Sequence, residues 1–155
     1  MRRDRFAIRQ GIVVFWAMWF AIVFSTNLCD GLKGLGILPP VWAFASGNYP
    51  FMKIVTGRYQ IPDNVTALLF LGVVAWEGLA TVLFWRAVFL NRRQLNFVGT
   101  PIYSAFACGL ALWSAFVLAD ELFIAYDLEA SHLRLFIAQL VSLLFLELSP
   151  NDHEG

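Results

Sequence analysis

The chain has 155 residues, of which 59% are hydrophobic and 14% are charged, and its formal net charge is zero. Soluble domains carry about 25% charged residues, so this composition excludes an ordinary soluble fold. The absence of a net positive charge also argues against a nucleic-acid partner. Apolar runs of about 20 residues instead predict membrane-spanning helices, for which the lipid bilayer is the first partner.

A basic segment opens the chain, and a run rich in Phe and Trp follows it. We predict the first span at residues 11–28. The basic start is typical of a signal peptide, but the apolar run is long and lacks a small-residue cleavage site, so we expect it to be retained. The span ends in polar residues that include Asn27 and Asp30. These side chains should lie at the far membrane surface.

Residues 31–64 form the longest break between apolar runs. They are too numerous for a plain connector and too apolar for a solvated one. Pro40 is placed to open a short helix that Gly47 closes, and Pro50 is placed to open a second one. We therefore expect one or two short helices lying in the membrane interface; the alternative is an ordered loop that caps the bundle.

The second span is predicted at residues 65–90, with Asn64 as its N-cap, and it carries Glu77 near the bilayer midplane. An ionised carboxylate at that depth costs at least ~2.5 kcal/mol, so Glu77 must be paired, hydrogen-bonded or protonated. Thr81 lies one turn away on the same face and is one local partner. Glu77 is then either an acid that handles protons or anchors a ligand, or an acid that ties helices together.

The third and fourth spans are predicted at residues 97–125 and 128–148, joined by a short turn. Glu121 shares a helical face with small residues, whereas Asp120 shares its face with aromatic ones. We therefore expect Glu121 to point into the bundle and to pair with Arg134 across the turn. An outer polar cluster is geometrically feasible, and it is either a structural ion pair or a small binding pocket. Its members are Asn27, Asp30, Asp120, Glu121 and Arg134.

Basic residues predict the orientation in the membrane. Seven of the eleven lie before the first span or at the end of the second: Arg2, Arg3, Arg5, Arg9, Arg86, Arg92 and Arg93. Because positive charge stays on the cytoplasmic side, both termini should be cytoplasmic. The break at residues 31–64 and the turn before the fourth span then lie outside.

The residues that commonly carry chemistry do not form a complete set. His132 is expected near the outer end of the fourth span and His153 in the tail on the opposite side, so one chain cannot form a bis-histidine haem site. One histidine serving a pigment or metal held by a neighbour stays open. Cys29 and Cys108 are poorly placed for a disulfide. No zinc motif, phosphate loop or catalytic triad is visible, and we expect no cofactor, no bound metal and no enzymatic activity.

Several short motifs carry a family likeness along nearly the whole chain. They are Asn27-Leu28-Cys29-Asp30, Trp76-Glu77, Leu112-Trp113, Ala119-Asp120-Glu121-Leu122-Phe123, Arg134-Leu135-Phe136 and Ser149-Pro150-Asn151-Asp152. In order and spacing they resemble the bacterial small integral membrane proteins grouped as domain of unknown function 2165. The chain departs from that pattern at residues 42–49, which lack an acidic, threonine-containing segment. The resemblance implies four spans and an inner-membrane location, and it implies no activity.

The sequence thus predicts an all-α membrane protein: one domain over residues 1–155, built as a four-helix antiparallel bundle with an outer cap. We expect an accessory or scaffold subunit of a larger membrane complex, because the chain is small, rich in aromatic residues and without a complete catalytic set. The alternative is a small transporter, or a membrane protein that binds a proton or ligand through Glu77 and the outer cluster.

Overall fold

A computed structural model describes residues 2–90 and 99–148, with side chains from residue 6 onward. The basic turn expected after the second span and the tail with His153 lie outside these ranges. The regular secondary structure of these described residues is entirely helical. Its helices are α1 (Arg2–Gly34), α2 (Asn48–Gly57), α3 (Asp63–Leu90), α4 (Thr100–Leu122) and α5 (Tyr126–Leu148).

Four of these helices, α1, α3, α4 and α5, are long and apolar enough to cross a membrane. Consecutive spans run antiparallel, and the short helix α2 lies between the first two. The predicted fold class is therefore confirmed. The spans begin and end somewhat differently from the prediction. For example, the carbonyl of Pro62 accepts the first hydrogen bonds of α3, so Asn64 lies within the first turn and is not the N-cap.

The contacts divide the chain into two compact units. Unit 1 comprises Met1–Trp19 and Leu79–Gly155, and unit 2 comprises Phe20–Gly78. Parts of all four spans belong to unit 1. Unit 2 holds the second half of α1, the loop, α2 and the first half of α3.

In unit 1, hydrogen bonds join the first part of α1 to α5. The indole Nε1 of Trp16 donates to Ser142 Oγ at 3.1 Å. The guanidinium of Arg9 donates to the carbonyl of Leu146 at 2.8 Å. Leu146 lies in the last turn of α5, where carbonyls lack helical partners and a cation is favourable. Arg9 thus caps α5 although it belongs to a different helix.

Also in unit 1, α3 packs against α4 through aromatic rings, and α4 packs against α5 at a glycine. Phe84 of α3 and Phe106 of α4 pack edge to face, with ring centroids 5.1 Å apart. Between α4 and α5, a Cβ atom added at Gly109 would lie 2.5 Å from the amide nitrogen of Gln139. The fully buried Gln139 side chain therefore occupies space that only a glycine in α4 leaves open.

In unit 2, two polar contacts attach α2 to the start of α3. The hydroxyls of Thr56 and Thr66 are buried and 2.8 Å apart, and Thr56 also donates to the Met52 carbonyl. Thr66 must then donate to Thr56, because each hydroxyl has one proton. At the surface, the Lys53 ammonium lies 2.6 Å from the Asp63 carboxylate, and this hydrogen-bonded anion raises the pKa of Lys53.

The cap contains one short helix, which lies within the predicted range of one or two. Gly36, at φ +72°, ends α1: the amides of Ile37 and Gly36 bond back to the carbonyls of Leu32 and Lys33 in a Schellman arrangement. The chain then runs without a helix to Asn48, so the helix expected between Pro40 and Gly47 is absent. Many apolar side chains of the cap are exposed, including Leu35, Ile37, Val41, Trp42 and Phe44.

The turn between α4 and α5 comprises residues 123–125, so it lies earlier in the chain than the predicted turn, which was expected after residue 125. It repeats the Schellman arrangement: the amide of Ala125 bonds to the Asp120 carbonyl and that of Ile124 to the Glu121 carbonyl. Ile124 takes the left-handed position at φ 51°, where glycine is usual. This tight turn sets the register in which the end of α4 meets the start of α5.

Candidate functional site

A chain of side-chain hydrogen bonds crosses unit 2, from the buried Glu77 to the exposed Asn48. The Asn27 amide nitrogen of α1 donates to Glu77 Oε1 of α3 at 2.7 Å, and the Asn48 amide nitrogen of α2 donates to Asn27 Oδ1 at 2.8 Å. Glu77 is 1% exposed and Asn27 is 3% exposed. Each of the three helices of unit 2 thus supplies one member of the chain.

Asp30 acts beside this chain as a cap for α2. Its carboxylate accepts a hydrogen bond from the backbone amide of Tyr49 at 2.7 Å and one from the Ser46 hydroxyl at 3.2 Å. Tyr49 lies in the first turn of α2, where amides have no helical acceptor and a negative charge is favourable. Gly47 provides no side-chain cap, so the carboxylate from α1 takes that role.

This network joins three helices through polar contacts. An acid, two amides and a capping carboxylate hold α1, α2 and α3 together where apolar packing alone would not set the register. Thr81, the partner predicted for Glu77, is half-buried in α3, and the acid reaches Asn27 of another helix. The sequence singled out Glu77, Asn27 and Asp30 but not Asn48, which lies in the middle of the predicted cap, between Gly47 and Pro50.

In unit 1, Asp120 pairs with His132 between α4 and α5. Asp120 Oδ2 lies 2.6 Å from His132 Nδ1, and the two side chains are 7% and 21% exposed. The imidazole ring is stacked on the rings of Phe116, at 4.7 Å between centroids, and Trp113, at 6.5 Å. The contact with Asp120 and the stacking hold the imidazole ring in one orientation. The position of the second ring nitrogen, Nε2, is therefore fixed as well.

The expected pair between Glu121 and Arg134 is not present among the described residues. Both side chains are exposed, and Asp120 takes the inward position that was expected for Glu121. The predicted facing is wrong because Trp113 and Phe116, on the face of α4 that carries Asp120, pack against His132 of α5. Of the predicted outer cluster, Asn27 and Asp30 belong to unit 2, and Asp120, Glu121 and Arg134 belong to unit 1.

A carboxylate bonded to one histidine nitrogen is the arrangement that orients metal-ligating histidines. Within residues 2–90 and 99–148, however, no three His, Cys, Asp or Glu side chains are grouped so that they could hold a metal ion. The Asp120–His132 pair therefore supplies at most one ligand to a centre held by another molecule. As it stands, the pair joins α4 to α5.

No family model matches the chain, and no solved structure matches it. We therefore infer function from the contacts and surfaces of the chain itself.

Proposed function

We propose that this protein is an accessory or scaffold subunit of a larger membrane protein complex. The observation that carries the proposal is one exposed face of α5, made of Arg134, Ile137, Val141, Leu144 and Leu148. These residues recur at the alternating three- and four-residue spacing of a helix–helix seam. We call this set the α5 face.

The burial of α5 differs sharply from that of α4, although both helices have 23 residues. Seven residues of α4 are buried, but in α5 only Gln139 and Leu146 are. The apolar members of the α5 face are between 45% and 80% exposed. A neighbouring span packed along this face would cover the side of α5 that unit 1 leaves open.

Charge at one end of the α5 face favours a protein neighbour over lipid alone. Arg134 lies in the third turn of α5 and has no acidic partner in the described chain, and Glu121, near the end of α4, has no basic one there. A partner span with an acid at the same membrane edge would neutralise Arg134 in a place where water is scarce. This complementarity would fix both the register and the identity of the neighbour.

The location that accompanies the proposal is a bacterial inner membrane, with both termini in the cytoplasm. Its support is the bias of Arg and Lys along the sequence and the resemblance to the family of small integral membrane proteins. The proposal includes no catalytic step.

A second candidate function is favoured by the position of Glu77. A carboxyl group that is 1% exposed at the middle of a candidate span is the kind of residue that transporters use for proton or ligand binding. Asn27, which donates to Glu77, and Asn48, which donates to Asn27, would then lie along the path. Loss of proton-coupled uptake in Glu77→Gln, with folding preserved, would favour this candidate.

Site-specific photo-crosslinking in native membranes tests the subunit proposal. A photoreactive residue at Ile137 or Val141, on the α5 face, should form an adduct with one discrete protein. The matched controls are Leu79 and Val82, which are similarly exposed on α3 and should give no such adduct. Arg134→Glu should abolish the adduct, and Arg134→Lys should retain it. Lipid adducts alone from all four positions would contradict the proposal.

A further inference from the structure

Unit 2 contains a groove between the second half of α1 and the first half of α3. Its volume is about 390 Å³, and almost all of its lining is apolar. Leu28 and Leu32 contribute from α1, Ala67 and Leu71 from α3, and Asn64 is among its few polar lining residues. Small-molecule sites in proteins have volumes of about 300–1,000 Å³, so the groove lies at the small end of that range.

Two glycines of α1 allow aromatic rings to form part of the groove. A Cβ atom added at Gly34 would lie 2.4 Å from the Tyr49 ring, and one added at Gly31 would lie 3.3 Å from the Phe70 ring. The two rings contact each other, with centroids 5.0 Å apart. Both rings line the groove, so this part of its wall is held in place by packing and does not have to form when a ligand arrives.

The length of the groove matches one leaflet of a bilayer. Asn64 lies in the first turn of α3, and the lining reaches Val74 on the same helix. At 1.5 Å per residue this wall extends about 15 Å. The hydrocarbon core of a bilayer is about 30 Å thick, so half of it is about 15 Å. A single hydrocarbon chain that enters at the Asn64 end would end near the deep end of the groove.

The polar groups of the lining are placed for a molecule with one polar end. Asn64 is exposed at the start of α3, and its side-chain amide has no hydrogen-bonding partner within the described chain. Asn27, at the deep end, is 3% exposed and already bonds to Glu77 and Asn48. Hydrogen bonding to a ligand is thus available at the membrane edge, whereas the deeper lining offers mainly apolar contact.

We propose that the groove binds one hydrocarbon chain of a membrane lipid from the leaflet on the α2 side, with the polar linkage of that lipid beside Asn64. The chemical class of the ligand is an amphiphile with a long acyl chain. Because a lipid chain in the bilayer is already out of water, its binding comes from close packing against the rigid walls of the groove. The inference is independent of the subunit proposal, because the groove and the α5 face lie in different units.

The test uses the full chain in nanodiscs that contain a trace of phospholipid with a photoreactive group halfway along one acyl chain. Adducts should concentrate on the peptides with Leu28, Leu32 and Leu71. Ala67→Trp, which fills the groove, should lower these adducts by at least about tenfold, equivalent to about 1.4 kcal/mol of binding free energy. Ala75→Trp, at an exposed position of the same helix outside the groove, should leave them unchanged.

Adducts spread evenly over the exposed faces of the four spans, and insensitive to Ala67→Trp, would overturn the proposal in favour of ordinary surrounding lipid. Unlabelled phospholipid should compete with the labelled probe. Competition by a prenyl-chain quinone and not by phospholipid would overturn the assignment of an acyl chain. Should Ala67→Trp fail to fold, Leu28→Trp enters the same groove from α1, and its folding is checked by thermal unfolding.

Discussion

The side-chain amide of Asn27 in α1 donates a 2.7 Å hydrogen bond to the carboxyl group of Glu77 in α3, and both groups are buried. Glu77→Gln should preserve the fold, because a glutamine oxygen accepts the same bond. Asn27→Leu should lower stability by about 1–3 kcal/mol, since it removes a donor from a buried acceptor. Thermal unfolding in detergent measures both changes.

Glu77→Lys tests the apolar surroundings of Glu77 when it is compared with Glu77→Gln. It places a cation opposite the Asn27 amide donor near the middle of a span, at a cost of at least ~2.5 kcal/mol, and should prevent insertion or assembly. Equal membrane yield of the Lys and Gln variants would mean that Glu77 is not held in an apolar interior.

The Asp120–His132 contact should appear as an energetic coupling. His132→Phe keeps an aromatic ring against Phe116 but removes the nitrogen, and Asp120→Asn removes the charge. Their double-mutant cycle should give a coupling of about 0.5–3 kcal/mol in unfolding free energy. The cycle of Glu121→Gln and Arg134→Gln should be additive within about 0.5 kcal/mol, because those side chains do not meet. The opposite pattern would mean that α4 is rotated relative to the structure described here.

The sequence was sufficient to predict the four spans, because lipid requires long apolar helices whatever their neighbours are. It was also sufficient to single out Glu77, since a carboxylate in the middle of an apolar run must have a partner. It could not choose between Asp120 and Glu121. Adjacent residues differ by about 100° around a helix, and aromatic residues suit both lipid and helix seams.

The contacts that sequence reasoning missed depend on folding over long distances. Asn48 reaches Asn27 only because the cap folds back over the end of α1, and the cap has no periodic pattern that predicts its path. His132 was considered as a metal or haem ligand, and its pairing with Asp120 depends on a turn that lies earlier in the chain than predicted. In both cases the local pattern was compatible with more than one geometry.

The left-handed backbone at Ile124 predicts a stabilising substitution. A residue with a Cβ atom is destabilised by roughly 1–2 kcal/mol in this conformation. Because Ile124 is 59% exposed, its side chain contributes little packing to offset that strain. Ile124→Gly should therefore raise stability by about 0.5–1 kcal/mol after the entropy cost of glycine. Gly36→Ala, at the equivalent position after α1, should lower it. A lower melting temperature for Ile124→Gly would show that the isoleucine side chain contributes packing that outweighs the strain.

Orientation in the membrane is tested by cysteine labelling from outside intact cells, in a background in which Cys29 and Cys108 are replaced by serine and alanine. Val41→Cys, which is 88% exposed in the cap, and Glu129→Cys, in the first turn of α5, should react with an impermeant reagent. Arg92→Cys should react only after the cells are opened. Labelling of Arg92→Cys from outside would reverse the proposed orientation.

The most direct test of the subunit proposal is gentle detergent extraction from native membranes, followed by native mass spectrometry of the purified species. We expect a complex in which this chain is bound in fixed stoichiometry to at least one other membrane protein. Arg134→Glu, on the α5 face, should release the chain from that complex while it remains folded. A monodisperse species that contains this chain alone, with the same thermal stability as the extracted material, would contradict the proposal.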